Sequence, residues 1–190
     1  MHHIDLSSVL RQTLACDLYS NLVTRPTGAA VRSQIEQLLS HPTDSADTRA
    51  FTVIDFSQVS MIDFSCADEV VAKLLMRYAS EDAPRDAYFL FRGVNDDHWV
   101  AIEAVLERHG LALAVENAEG VRVAGVLSDE ERSTWEAVYK LGTANADDVA
   151  IATGSDATHV RVTLDSLCGR RLVMRANGGI EYVAVGHFEA

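Results

Sequence analysis

The chain has 190 residues, 28 acidic against 16 basic side chains for a formal net charge of −12, and a hydrophobic share of 48%. This length suits one medium domain or two small ones, with ample apolar material for a core. The charge excludes a dominant electrostatic grip on nucleic acid but leaves room for a local basic face.

No run approaches 18 apolar residues, so no membrane span is expected. Met1-His-His-Ile-Asp5 has no basic region followed by an apolar block, so no signal peptide is expected either. Residues 5 to 24 carry Leu6, Val9, Leu10, Leu14, Leu18, Leu22 and Val23 at helical spacing, with Asp5 or Ser7 as cap, and predict a first helix. Thr24-Arg-Pro-Thr-Gly28 reads as a break. Val31, Ile35, Leu38 and Leu39 predict a second helix ending near Pro42, followed by a polar loop to Thr48.

Phe51-Thr-Val-Ile-Asp-Phe56 is rich in β-branched and aromatic residues and too short for a helix, so it predicts a buried strand. Ser57 to Ser60 is turn-forming, and Met61 to Ser65 leads into a helix. Ser65 with Asp68 three residues on has a capping-box pattern. Ala67, Val70, Val71, Leu74, Leu75 and Tyr78 make one apolar face at helical period. A charged loop, Glu81 to Asp86, precedes a strand at Tyr88 to Phe91. Asn95 caps the next helix, with Asp96 and Asp97 at its positive end and Trp99, Ile102, Val105 and Leu106 inward. Gly110 ends it. Leu111 to Val115 is a further strand, 117–120 a turn, and Val121 to Val126 either a last strand or the link onward. Strands alternating with amphipathic helices imply an α/β (α+β) sheet with helices packed on it. The boundary is expected near residue 125, giving units 1–125 and 126–190.

Beyond Leu127 the pattern changes. Ser128-Asp-Glu-Glu131 is a second capping box, followed by Trp135, Val138, Tyr139 and Leu141. Asn145 caps a short helix closed by Gly154. Ser155 or Asp156 caps another with Val160, Leu164 and Leu167 inward. Leu172 to Arg175 and Ile180 to Val185 are strands joined at Asn177-Gly178-Gly179, a strong hairpin signal. Three helices and a hairpin resemble a winged helix-turn-helix, and residues 146–167 resemble that family's second and third helices.

The central stretch carries another resemblance. Strand, Asp55-Phe-Ser-x-Val-x-x-Ile-Asp63-x-Ser65, helix is similar to the signature of STAS domains, the family of the bacterial anti-sigma-factor antagonists. Ala67-Asp-Glu69 and Thr24 to Gly28 are more like an uncharacterised STAS-like subfamily. The match spans residues 18 to 117. STAS domains usually open with strands, so the predicted first helix departs from that pattern. The resemblance implies a protein partner at Asp63, Phe64, Ser65, Asp68 and Glu69, of the kinase-like ATPase type in relatives that switch partners. In those relatives the hydroxyl residue after the Asp accepts phosphate. Phe64 stands there and cannot, while Ser65 is accounted for as a cap.

Other chemistry is weaker. Cys66 begins a helix, where the dipole lowers a thiol pKa, but a cysteine-phosphatase loop needs an Arg where Ala72 stands. A structural thiol is the expectation. Cys16, Cys66 and Cys168 are unclustered, which argues against a disulfide framework and fits a reducing cytoplasm. Asp55, Asp63, Asp68 and Glu69 read as capping or solvated carboxylates, and His2 and His3 as a disordered end. His98, His109, His159 and His187 lack metal-ligand spacing. No metal, cofactor or enzyme motif is expected. On the third helix of the second unit, Thr158, His159 and Arg161 lie away from the apolar stripe, where a recognition helix meets the major groove. Arg170 and Arg175 stand where phosphate contacts are made. Against this, residues 127 to 190 hold ten acidic and six basic side chains. The sequence therefore leaves two readings open. One is a non-enzymatic regulator with a partner-binding STAS-like module fused to a winged helix, bound to DNA or protein. The other is a DNA-binding transcription factor whose first unit only forms a homodimer or senses a small ligand.

Overall fold

The structure, a computed structural model, describes residues 2–14, 21–40, 49–80 and 82–187. In chain order the first unit contains β1 (His2–Asp5), α1 (Leu6–Leu14), β2 (Asn21–Leu22), α2 (Arg25–Ser40), β3 (Ala50–Asp55) and β4 (Met61–Ile62). It continues with α3 (Phe64–Ala67), a π-helical stretch (Asp68–Lys73), α4 (Leu74–Ala79), β5 (Ala87–Arg92), α5 (Asp96–His109), β6 (Ala112–Asn117) and β7 (Gly120–Gly125). The remainder holds α6 (Asp129–Leu141), β8 (Thr143–Asn145), α7 (Ala146–Thr153), α8 (Ala157–Gly169), β9 (Val173–Ala176) and β10 (Glu181–Ala184). The fold is mixed α/β with a mostly parallel sheet and packed helices. Among the described residues no helix is long and apolar enough to cross a membrane.

The main sheet runs β1-β3-β5-β6-β7, parallel except for the last pair. Each parallel connection steps one strand further in the same direction. Right-handed crossovers then place every helix of this unit on one face. Side chains follow the pleat accordingly. Ala50, Ile54, Phe89, Phe91, Leu113 and Val115 point into the core shared with α1 to α5, while Tyr88, Ala112, Ala114 and Val123 pack on the opposite face against residues 126–187. Burial on both faces gives near-continuous apolar strands.

The central helix, α3 through the π stretch to α4, runs on in right-handed helical conformation and lies between α2 and α5. Residues 68 to 72 are all buried as a result. The predicted stripe from Ala67 to Tyr78 is buried throughout. Gly28 allows α2 to approach this helix closely: a Cβ there would lie 2.9 Å from Cys66 Cα and 3.0 Å from Glu69 Cβ.

In the C-terminal part, α6, α7 and α8 surround Trp135, Val149, Val160, Leu164 and Leu167, and the small sheet runs β8-β10-β9. The hairpin turns where expected, with Gly178 at φ 71° supplying the left-handed conformation. Arg171 Nε donates to the Tyr78 carbonyl at 3.0 Å and Nη1 pairs with Asp86 at 2.8 Å. Arg49 donates to the Arg175 carbonyl from the other side. The boundary expected near 125 falls at the end of β7, yet Ala112 and Val123 of the large sheet belong to the apolar cluster of the C-terminal part.

Several expectations are corrected. The segment 5–24 is not one helix: α1 ends at Leu14, and Leu22 pairs with Ile62 in a two-residue parallel ladder. Leu18 and the loop 42–48 lie outside the described residues. His2 and His3 open a strand paired with β3, where a disordered end was expected. Pro26 does not break α2 but sits in its first turn, where a missing N–H is tolerated. The cap of α3 is Asp63, and Ser65 already lies inside the helix. Leu38 and Leu141 face solvent. The open choice at Val121 resolves as β7, antiparallel to β6, and β8 is an unforeseen strand.

Because the Gly28 contact is with backbone, Gly28→Ala is expected to cost about 1–3 kcal/mol, as for overpacking elsewhere. Urea unfolding measures this, with an unchanged midpoint as the contrary result.

Candidate functional site

The loop between β3 and α3 is built from the short ladder upward. Once Leu22 pairs with Ile62, the Asp63 N–H donates to the Leu22 carbonyl at 2.9 Å, bringing the segment before α2 alongside the start of α3. Asp63 then serves both helices. Its Oδ2 accepts the Thr24 N–H at 2.9 Å, and its Oδ1 accepts the Cys66 N–H at 2.7 Å and the Ser65 hydroxyl at 2.9 Å. Thr24 has φ 74°, a costly conformation for a β-branched residue. Its carbonyl in turn accepts the Cys66 thiol at 2.9 Å and the Gly28 N–H at 3.1 Å. Partial burial pushes the Asp63 carboxyl up, but these donors outweigh it and hold it below the usual carboxylate range.

On this mount Met61 is 52% and Phe64 38% exposed, and the Arg108 guanidinium lies 5.6 Å from the Phe64 ring centre. Asp63, Phe64 and Ser65 thus come together at a surface. Asp68 and Glu69 do not join them. They are 5% and 3% exposed, which corrects their reading as capping or solvated carboxylates. Asp68 pairs with Arg25 at 2.9 Å and with His109 Nε2 at 2.8 Å. Glu69 pairs with Arg25 at 2.9 Å, Arg32 at 3.4 Å and Lys73. Burial raises both carboxyls, and these partners more than reverse it, so both are held below their usual values. Lys73, one turn beyond Glu69, was legible as an i,i+4 pair. Arg25, Arg32 and His109 were not, because they arrive from other helices.

Cys66 is fully buried, and burial first, then the Asp63 charge, pushes its thiol up to about 12. The dipole that would activate it is overridden by desolvation and a neighbouring carboxylate. Among the described residues no group of three or more His, Cys, Asp or Glu is placed to hold a metal ion.

The second candidate face is on α8. Asp156 caps it, accepting the N–H groups of Thr158 and His159. On this helix His159 faces Glu130 at 2.6 Å and Arg161 faces Asp147 at 3.5 Å. Arg175 on β9 pairs with Asp165 at 2.6 Å. Arg170 lies apart from this group, pairing with Glu131 at 3.0 Å and donating to the carbonyls of Gly110 and Val126. Val162, on the same helix, is 65% exposed.

Compared with protein-family models, curated proteins and solved structures, the chain finds no match.

Asp63→Ala should cost about 1–2 kcal/mol at neutral pH, the upper range for a lost helix cap. Asp63, Asp68 and Glu69 have folded values below their unfolded ones. Their contribution is therefore full above the unfolded values near about 4 and is lost as pH falls through the folded ones. Urea unfolding from neutral to acid pH should show stability falling below about pH 5, with the gap between wild type and Asp63→Ala closing. A gap constant with pH would contradict the assignment. In a separate measurement, iodoacetamide near neutral pH followed by peptide mass mapping should leave Cys66 unmodified until the chain is unfolded.

Proposed function

We propose that this chain is a non-enzymatic regulatory protein of the cytoplasm, with a STAS-like module that receives a protein partner and a winged-helix second unit acting in transcription regulation. The observation that carries this reading is the loop at Met61 to Ser65. It presents two exposed apolar side chains on a mount stiffened by Asp63, where the STAS resemblance expects the partner to dock. Exposed aromatic anchors beside a cation are the side chains that interfaces favour. Phe64 stands in the phosphate acceptor's position, so control here acts through occupancy of the surface rather than phosphorylation at that residue. The burial of Cys66 and the internal pairing of Asp68 and Glu69 support a non-enzymatic role. The order helix, strand, helix, helix, strand, strand, with β8 joined to β10, supports the winged-helix reading.

The second reading, a DNA-binding transcription factor whose first unit only dimerises or senses a ligand, is favoured by the exposed Thr158, His159, Arg161 and Val162. Weighing against tight DNA binding, Arg161, Arg175 and His159 already face carboxylates, and those ion pairs must open before phosphate is gripped.

Phe64→Asp in the full chain should weaken retention of a co-purifying protein by about tenfold or more, with an unchanged melting temperature. If only self-association is seen, the second reading takes its place. Mobility shifts at low ionic strength probe DNA. There Arg175→Ala should weaken binding to all duplexes alike and lower the salt slope by about one. Arg161→Ala should cost about 1–3 kcal/mol, with relaxed sequence preference if it reads a base. No duplex binding at low salt would leave the second unit as a protein-docking module.

A further inference from the structure

The face of the large sheet turned away from α1 to α5 carries a cavity of about 120 Å³ near the carboxyl ends of its strands. The pleat decides which side chains reach it. Ile54, Phe91 and Val115 point into the helical core, so their neighbours Val53, Leu90, Arg92 and Glu116 point the other way. Val121 lies opposite Glu116 across the β6–β7 ladder and shares that face. Val185 and Gly186 close the cavity from the C-terminal part. Gly186, at φ 100°, lets the chain come down on Val121, since a Cβ there would lie 2.6 Å from Val121 Cγ1. Thr52 is two residues from Ile54 and turns its side chain to the helical face. Among the described residues, the polar side chains on this cavity are therefore Arg92 and Glu116. They are 40% and 33% exposed, which places them at its mouth above an apolar floor. Arg92 Nε donates to Glu116 Oε2, while the Arg92 Nη groups and Glu116 Oε1 have no further partner among the described residues. Asp55, beside Arg92 in register, has its oxygens taken by His3 and the Ser57 N–H. The larger cleft around Arg171 and Arg175 differs, because Asp86 and Asp165 already occupy those guanidiniums.

We propose that this cavity binds a small aliphatic α-amino acid of the size of alanine or valine. The carboxylate meets the Arg92 Nη groups, the ammonium meets Glu116 Oε1, and the side chain enters between Val53, Leu90, Val121 and Val185. An arginine fork matches a carboxylate. An apolar cavity of about 150 Å³ takes a benzene ring, so this one accepts an isopropyl group. The paired charges at the mouth select a zwitterion, because a simple acid or amine leaves one of them unanswered. Ligand sites of open sheets gather outside the carboxyl ends of the strands. Here one wall comes from the sheet and one from Val185 and Gly186, so an occupant bridges the two parts of the chain. This site is independent of the partner surface at Phe64, which lies on the helical side of the sheet.

The floor supplies its own probes. In the full chain carrying 13C-labelled Val and Leu methyl groups, the signals of Val53, Leu90, Val121 and Val185 are followed while unlabelled L-valine or L-alanine is added. Isovalerate, isobutylamine and glycine serve as half-ligands, lacking the ammonium, the carboxylate and the side chain in turn. Expected is a saturable shift concentrated on these methyl groups, with each half-ligand binding about tenfold more weakly. Arg92→Leu should lose about tenfold toward valine and isovalerate but not toward isobutylamine. Glu116→Gln should lose about tenfold toward valine and isobutylamine but not toward isovalerate. Both side chains stand at the surface, so these variants keep the fold, and Val121→Phe, which fills the cavity, should abolish binding. No saturation by either amino acid to about 10 mM, half-ligands bound as tightly as valine, or unchanged affinity in both charge variants would overturn the proposal.

Discussion

Two adjacent carboxylates, Asp68 and Glu69, are buried on the central helix, and the first unit is arranged around keeping them charged. A buried carboxylate without partners is costly. Arg25 and Arg32 come from α2, His109 from the end of α5, and Lys73 from the same helix one turn on. The contacts from α2 and α5 fix how those two helices sit against the central one. Arg25 bridges both carboxylates, which requires α2 to begin directly over the π-helical stretch. Gly28 makes that approach possible, and the Asp63–Thr24 contact holds the start of α2 in place.

This arrangement separates the roles of residues that are close in sequence. Asp63, Phe64 and Ser65 stand at the surface end of the helix, with Phe64 turned outward beside Arg108. Asp68 and Glu69, one turn further, are internal. The Ala67-Asp-Glu69 segment is therefore a packing element, and the side chains left exposed are the apolar Met61 and Phe64 before it. π-Helical stretches occur often where function is concentrated. Here the stretch carries the ion-paired carboxylates and lies just behind the exposed loop.

Arginine has a second structural use at the joint between the two parts of the chain. Arg170 and Arg171 follow α8 and turn back toward Gly110 and Tyr78 of the first unit and Val126 just after it, satisfying their backbone carbonyls. Val185 packs on Tyr88 and Ala114 of the sheet face that the helices leave bare, and the Arg171 guanidinium lies 5.7 Å from the Tyr88 ring centre. The C-terminal part thus completes the core of the first. A residue placed by analogy as a phosphate contact, Arg170, is engaged in this joint.

Local signals were legible wherever the cause was local. Asn95, Ser128, Asn145 and Asp156 cap their helices because each side chain reaches its own first-turn N–H groups. The 3.6-residue stripes of the central helix and of α8 are buried as their spacing requires. The Asn177-Gly178-Gly179 turn sits where only a left-handed residue serves. What the sequence left undetermined depends on partners distant in the chain. Asp63, not Ser65, caps the central helix through the nearby Cys66 N–H, and what the sequence could not show is that its other oxygen accepts the N–H of Thr24, 39 residues away. The ladder of Asn21–Leu22 with Met61–Ile62 is too short to show a period. Asp68 and Glu69 read as ordinary solvated acids, since a carboxylate's burial is decided by which helices close over it and which cations they bring. The pairing of Arg161, Arg175 and His159 has the same character: charge type is written in the sequence, but only the packed helices determine whether a cation faces solvent or a carboxylate of its own chain.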